Sequence, residues 1–535
     1  MREDIGTGPA ADESAENGVA NFGGRAATGA RPSRRDPADR PEPAGHGPIR
    51  RPRMDPLTDR DPAACPPLAP LSARIAWAAA FERRIVAREH DLVAAVRTDI
   101  HKADWETVTQ DILPLVASIR WHRDHAARVL GPRKLGGAPW WMLGQRHWAQ
   151  RLPLGRVLVI ATWNYPLQLL GIQLTQSVVA GNRTVVKPSE RAPRSQRMLV
   201  ELAREALADA GLPADMVRAA DATREAGREL LERERFDHVV FTGSTAVGRE
   251  IAAACARTLT PTTLELSGRD SAIVLADADP ALAARGIWHA ATMNAGQTCM
   301  APRRALVDRA VYARFLDAMR PLAAAARPVR LADAAMADRC TALARAAVEA
   351  GGRSLGGTLE PSDHGAMRPL AIEGCPRTAG LFAGDHFGPA LAVVPVDGID
   401  DALAAHRAAG QHLATAVYCG DPDRVLADAA LLAALGSNIV TVNDAILPTG
   451  HPGLSIEGRG PSGWGASRGE AGLRALSREV ACTATSSRLR APLEEPDARG
   501  KRWLRRLGFG GRDLPAAGTP APAPTNHLPH TRTEP

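Results

Sequence analysis

Lysine is nearly absent from this 535-residue chain: Lys102, Lys134, Lys187 and Lys501 are the four, and arginine carries the rest of the positive charge. The formal charge is +7, yet the arginines of the central region are scattered among acids, with no stripe of basic residues to track a phosphate backbone. The charge therefore serves solubility, and no nucleic acid partner is expected. No run of about 20 apolar residues occurs, which argues against a membrane-spanning helix, and Met1-Arg2-Glu3-Asp4 lacks the apolar core of a secretory signal. The seven cysteines (Cys65, Cys255, Cys299, Cys340, Cys375, Cys419 and Cys482) are odd in number and show neither C-x-x-C pairs nor zinc spacing. That pattern speaks against a metal site and for a reducing compartment, so a cytoplasmic location is expected. In so lysine-poor a chain each retained lysine raises a question. Drift accounts for Lys102 and Lys134, whereas Lys187 stands between a β-branched run and Pro188, where a compact ammonium donates to ribose hydroxyls in ways a planar guanidinium cannot.

Also lacking is an apolar face at either end. Met1 to about Pro67 is rich in Pro, Gly, Ala and paired charges, and the same composition returns after about Arg488, so 1–67 and 489–535 are expected to be disordered. Between them lie about 420 residues, ample for two packed α/β domains sharing a cleft.

Within that core, Ile75, Ala78, Phe81, Ile85, Leu92 and Val96 fall near three- and four-residue spacing, and Trp105, Val108, Ile112, Val116 and Ile119 repeat it. Two amphipathic helices are predicted. Trp140, Trp141, Met142, Trp148 and Leu152 then form an apolar segment broken by Gly and Pro. From Arg156, apolar strands at 156–161, 184–186, 216–219 and 238–242 alternate with helical stretches, the signature of a parallel sheet with crossover helices, which binds ligands at the carboxyl ends of its strands. Phe241-Thr242-Gly243-Ser244-Thr245-Ala246-Val247-Gly248 carries such a strand into a helix. It is not G-x-G-x-x-G, and by itself it reads equally as a Ser-capped helix or as amide donors for a pyrophosphate. Together with Lys187 and Glu190 after an earlier strand of the same sheet, it makes a dinucleotide site, with phosphate at Ser244 and adenosine ribose at Lys187 and Glu190. A second alternation begins beyond Gly268, with strands near 271–275, 303–307, 390–395 and 415–419.

The chemistry centres on Asn294-Ala295-Gly296-Gln297-Thr298-Cys299-Met300-Ala301-Pro302, a thiol among small and amide residues between an Ala-rich helical run and an extended one. A lone Cys there is either a small buried hydrophobe or a presented nucleophile. The second reading gains from Leu264-Glu265-Leu266-Ser267-Gly268-Arg269-Asp270, where a carboxylate between two leucines precedes the thiol by 34 positions. Apolar surroundings raise a carboxyl pKa and suit it to act as a base.

With Trp163-Asn164-Tyr165-Pro166 and Val185-Val186-Lys187-Pro188-Ser189-Glu190, these stretches resemble the aldehyde dehydrogenase superfamily, most closely its class 3 branch, from about Leu71 to about Thr485. The resemblance implies an α/β fold with two doubly wound parallel-sheet domains. A Rossmann-like NAD(P)-binding domain would span 68–268, with an oligomerisation hairpin at 136–154, and a catalytic domain would span 269–447. Residues 448–488 would return to the first domain and supply an oligomerisation strand around Val480-Ala481-Cys482-Thr483. It implies oxidation of an aldehyde to the acid: Cys299 attacks, the Asn164 amide and the Cys299 backbone N–H hold the oxyanion, NAD (or NADP) takes the hydride, and Glu265 drives water onto the thioester. Read from the residues alone, Asn164 is equally a turn residue before Tyr-Pro and Glu265 a paired core carboxylate. Trp163, Gly243, Asp385 and Phe387 join Lys187, Glu190 and Ser244 as expected cofactor contacts, and a homodimer or dimer of dimers is expected.

The family pattern is not followed throughout. Asp385-His386-Phe387-Gly388-Pro389 has an acid one methylene shorter than the family's Glu, Ser267 and Arg269 replace a Gly and a Lys, and 456–465 stand where the family has Pro-Phe-Gly-Gly. Rival readings are an acylating relative that passes the thioester to coenzyme A, which generally lacks the glutamate base, a reductase of phosphorylated acyl groups, and a catalytically silent scaffold. Finally, Lys501 to Phe509 interleaves bases with Trp503, Leu504, Leu507 and Phe509. It is either a solvated linker or a short helix making weak contact with an anionic membrane surface.

Overall fold

The computed structural model describes residues 68–139, 142, 144–356, 359, 365–486 and 494–508. The expected extension 1–67 lies outside the described residues, as do Trp140 and Trp141.

The opening helical pattern divides more finely than its periodicity suggests. Its first stretch breaks at Arg88 into Leu71–Ala87 and Glu89–Ile100, whose shared apolar face (Trp77, Phe81, Ile85, Leu92, Val96) enters the core. The second passes through a π-helical turn, Thr107–Ile112, before Leu113–Leu130. Pro114 follows directly and has no N–H to give, so widening the turn here sacrifices less of the regular ladder. As a consequence Trp105, expected inside, is 61 % exposed. The turn also gives Lys102 a partner. Its ammonium is fully buried against Asp111 at 2.6 Å and lies 3.9 Å over the Tyr165 ring, so drift does not account for it.

Two large sheets carry the rest. In the six-stranded one, Gly463–Trp464, Thr262–Leu266, His238–Gly243, Arg156–Ile160, Arg183–Lys187 and Val217–Ala219 lie in that order, all parallel except the first. The seven-stranded sheet runs Arg353–Ser354, Leu370–Glu373, Ala390–Val396, Pro302–Asp308, Asp270–Val274, Ala414–Tyr418 and Ile439–Val442, again with its first strand antiparallel. Near-continuous Val, Ile, Leu and Ala runs form these strands because helices cover both faces, and the strand interiors are buried throughout. Only Ser267, Gly268 and Arg269 separate the last long strand of the first sheet from the first strand of the second.

The broken apolar segment 136–154 resolves into one nine-residue strand, Gln145–Pro153. It pairs along its whole length with Ser477–Thr485 of the same chain, from Gln145 opposite Thr485 to Pro153 opposite Ser477. Arg133–Lys134 flanks its other side. The 477–485 strand is therefore an edge of a three-stranded sheet, with one side paired within the chain. In the tail expected to be disordered, the described residues include a helix, Ala498–Gly508, on which residues 501–506 are exposed.

Candidate active site

Cys299 sits at a helix-to-strand junction. Asp279 caps the preceding helix, Pro280–Thr292, by accepting from the Ala281 and Leu282 amides. Met293–Gly296 then tightens into a 3-10 turn in which Asn294 and Ala295 adopt φ of 51° and 53°, a left-handed excursion that an Asn tolerates and an Ala pays for in steric energy. Many bonds hold this turn. Arg303 donates from Nη1 to the Gly296 carbonyl at 3.0 Å and from Nη2 to the Thr298 carbonyl at 2.8 Å, while Gln297 accepts from the Ala332 amide at 2.9 Å. A Cβ on Gly296 would meet the Gly388–Pro389 backbone at 2.3 Å, so only glycine lets the loop press against the segment carrying Phe387.

Glu265 lies on the adjoining sheet, in the strand Thr262–Leu266, opposite Gly463. A Cβ on Gly463 would fall 1.9 Å from the Leu264 carbonyl, which fixes glycine at that register position. The carboxyl is 6 % exposed and its Oε1 has no hydrogen-bond partner. Burial pushes its pKa up to about 7, against the nearby Arg468 cation. Burial likewise pushes the half-buried Cys299 thiol up to about 12, with the charges of Glu265 and Asp270 adding to it. The two segments are joined by the Gly268 amide, which donates to the Cys299 carbonyl at 3.1 Å.

The Asn164 amide is tied to the same loop. Its Nδ2 donates one hydrogen to the Gln297 carbonyl at 3.0 Å, leaving one N–H, and its carbonyls accept from Thr162 and Asn294. The Cys299 backbone N–H makes no hydrogen bond among the described residues. Beside them the Tyr165 and Thr298 hydroxyls meet at 2.6 Å.

A single cleft of about 1150 Å³ is lined by Cys299, Glu265 and Asn164 and reaches Gly243 and Ser244. Ser244 caps the helix Thr245–Ala256, accepting from the Val247 amide at 3.4 Å, so the capping role is realised and the helix start opens on the cleft. A Cβ on Gly243 would strike the Phe241 ring at 2.4 Å. Trp163 and Phe387 meet edge to face at 5.7 Å in the cleft wall. Lys187 and Glu190 lie outside the lining, at the carboxyl end of the neighbouring strand, where Lys187 is level with Ile160 and Phe241. Their side chains pair at 3.2 Å, and Arg224 donates to the other Glu190 oxygen at 3.0 Å. Burial opposes ionisation of Glu190, but its own backbone N–H, Arg224 and Lys187 prevail and bring it to about 2. Asp385 is held by Arg339, and Arg269 stands 3.6 Å away. These features fit a dinucleotide: the helix-start donors at Ser244 and the thiol open on one continuous cleft.

Arg224, Arg339 and Arg468 were not singled out in the sequence, where one exposed-looking arginine reads like another. Within 456–465, Ile456 lines the cleft, while Trp464 donates its indole N–H to the Thr262 hydroxyl at 2.9 Å.

Comparison with known proteins agrees. The aldehyde dehydrogenase family model matches residues 67–480. Aldehyde dehydrogenase family 3 member A2 of Pongo abelii is 27 % identical over 418 residues, covering 77 % of this chain and 84 % of that one. The dimeric NADP-preferring aldehyde dehydrogenase of Canis lupus familiaris is 28 % identical over 418 residues, covering 77 % and 90 %. Among solved structures, PnpE from Pseudomonas sp. WBC-3 superposes with a TM-score of 0.73 at 25 % identity, covering 81 % of this chain and 89 % of that one. Staphylococcus aureus AldH shares the fold, with a TM-score of 0.73 at 24 % identity over 82 % of this chain and 95 % of that one. The chain belongs to the aldehyde dehydrogenase family, nearest its class 3-like branch, and is an NAD(P)-dependent oxidoreductase that acts on aldehydes.

Proposed function

We propose that Cys299 is the nucleophile of this aldehyde oxidation, Asn164 and the Cys299 backbone N–H the oxyanion donors, and Glu265 the base of the hydrolytic half-reaction. The observation that carries this reading is the convergence of a thiol, a spare amide N–H and an orphaned, buried carboxyl on one cleft. The thiolate adds to the aldehyde carbonyl, and the developing oxyanion is met by the two N–H groups. Bound NAD(P) supplies the hydride acceptor. Glu265, with a pKa near neutrality, takes a proton from water as it attacks the thioester, and the acid leaves with Cys299 restored. Lys187, Glu190, Gly243, Ser244, Trp163, Asp385 and Phe387 would hold the cofactor, Asp385 only after yielding part of its contact with Arg339.

Cys299→Ala should lower turnover at least about 10³-fold while leaving cofactor binding intact. Glu265→Gln should cut steady-state turnover about 10²-fold or more, yet preserve the first burst of reduced cofactor and leave a thioester on Cys299 detectable by mass spectrometry. Equal loss of burst and steady state would remove Glu265 from the base role. Turnover that survives Cys299→Ala would remove the nucleophile.

For the substrate, the Trp105, Leu169, Met293, Ile446, Leu447 and Ile456 walls of the cleft support an apolar aldehyde chain. A reducing, cytoplasmic setting is supported by the six unpaired cysteines among the described residues. The open side of the 477–485 strand supports a homo-oligomer, and the exposed bases of Ala498–Gly508 support weak attachment to an anionic lipid surface.

A further inference from the structure

Arg468 has no part in the scheme above, yet it is a buried charge in the cleft. It is 5 % exposed and lines the same cavity as Cys299 and Glu265. A guanidinium taken out of water is expensive unless it is paired, and no carboxylate pairs with this one among the described residues. Its one hydrogen bond runs from Nη1 to the Thr449 carbonyl at 2.9 Å, and its Nε is buried without a partner.

The backbone adds a second cost. Arg468 adopts φ 63° and ψ 164°, a region that glycine fills readily and a side chain rarely does. The conformation turns the chain from the strand pair at Ser467 onto the helix Gly469–Ala475. Four residues before this pair, Gly463 is locked opposite Glu265 on the six-stranded sheet. Strain, burial and an unused donor thus coincide at a residue tethered to the strand of the proposed base. Burial works against its charge, and the ionised forms of Glu265 and then Cys299 work for it.

We propose that Arg468 is a positioning residue of the dehydrogenase reaction: its fixed cation favours the thiolate of Cys299 in the first half-reaction and the carboxylate of Glu265 in the second. The inference rests on the roles assigned to those two groups. Around Cys299, Glu265 and Asp270 oppose the thiolate while Arg468 and Arg303 favour it, and Tyr165 stays neutral because burial raises its hydroxyl. Arg303 is already bound to the loop carbonyls through both terminal nitrogens and does not line the cleft. Around Glu265 only Arg468 works against the effect of burial. Of the other cations lining the cleft, Arg339 and Arg269 are engaged with Asp385. One cation therefore serves a nucleophile on one sheet and a base on the other.

The test uses the full chain with Arg468→Gln, Arg468→Gly and Arg468→Lys. The glycine variant relieves the positive φ, so loss of the charge can be read in a protein whose backbone is not further strained. Two pH profiles are recorded: alkylation of the Cys299 peptide by iodoacetamide, followed by mass spectrometry, and steady-state turnover of a neutral aldehyde with saturating NAD. In the Gln and Gly variants the alkylation rate at neutral pH should fall about tenfold and the turnover midpoint should move up by about one pH unit. Lysine should hold both near their original values. The proposal is overturned if the alkylation rate and the turnover midpoint stay put while activity falls uniformly, if lysine behaves like glutamine, or if the loss is confined to aldehydes bearing a carboxylate, which would make Arg468 a substrate contact. Survival of turnover in Cys299→Ala fails the underlying assignment instead, and it is read independently of these shifts.

Discussion

Glu190 is a carboxylate pinned between two cations, Lys187 on one oxygen and Arg224 on the other. On the proposed cofactor assignment it would accept from a ribose 2′-hydroxyl and repel a 2′-phosphate. Removing its charge does two things at once: the repulsion goes, and Arg224, itself largely exposed, is released to meet the phosphate. Glu190→Gln should raise kcat/KM for NADP relative to NAD about tenfold, the equivalent of one charge-assisted contact. An unchanged ratio in the coupled assay would mean that Glu190 does not touch the ribose. Lys187 and Glu190 could be singled out in the sequence because Lys187 closes a strand and Glu190 follows shortly after it. Arg224 was not, since its partner lies 34 positions away and nothing local marks it. Arg468 was hidden for a different reason, because its meaning lies in a backbone angle that its neighbours do not announce.

At the scale of elements, the alternating strands and helices were legible because buried parallel strands are near-continuous apolar runs. What escaped were features decided at long range. Gln145–Pro153 finds its partner more than 300 residues later, and the π-turn at Thr107–Ile112 depends on Asp111 reaching Lys102 and the Leu167 and Gln168 amides. The tail helix Ala498–Gly508 was legible only as an interleaving of bases and apolar residues. Its exposed Lys501, Arg502, Arg505 and Arg506 would each contribute about 1 kcal/mol near an anionic surface, with Trp503 and Leu504 entering the headgroup layer. Co-sedimentation with phosphatidylserine-containing vesicles should therefore be salt-sensitive and should disappear when the chain ends at Asp497. Equal pelleting of both forms would leave the helix without a lipid role.

For the whole molecule, the open edge of the 477–485 strand is an invitation to pair. Its inner neighbour, Gln145–Pro153, is paired along its length by 477–485 and, at Trp148 and Ala149, by Arg133–Lys134. Closing the edge with a second copy gives a two-fold arrangement that removes it from solvent. Light scattering at micromolar concentration should return twice the chain mass of 56.6 kDa or a multiple of it, and a monomer would refute this.

The passage between the two large sheets is the shortest link in the cleft: Ser267, Gly268 and Arg269 join the strand of Glu265 to the next sheet, and the Gly268 amide clasps the Cys299 carbonyl. Such a link acts as a hinge pin. If the sheets breathe apart to exchange a nucleotide, they turn about this link, and the thiol and carboxyl, close to the pivot, scarcely separate. On the proposed roles, one cofactor could then leave and the next enter while an acylated Cys299 keeps Glu265 within reach. In deuterated solvent the Gly268 amide should be among the last of the cleft to exchange, and nucleotide should change that little.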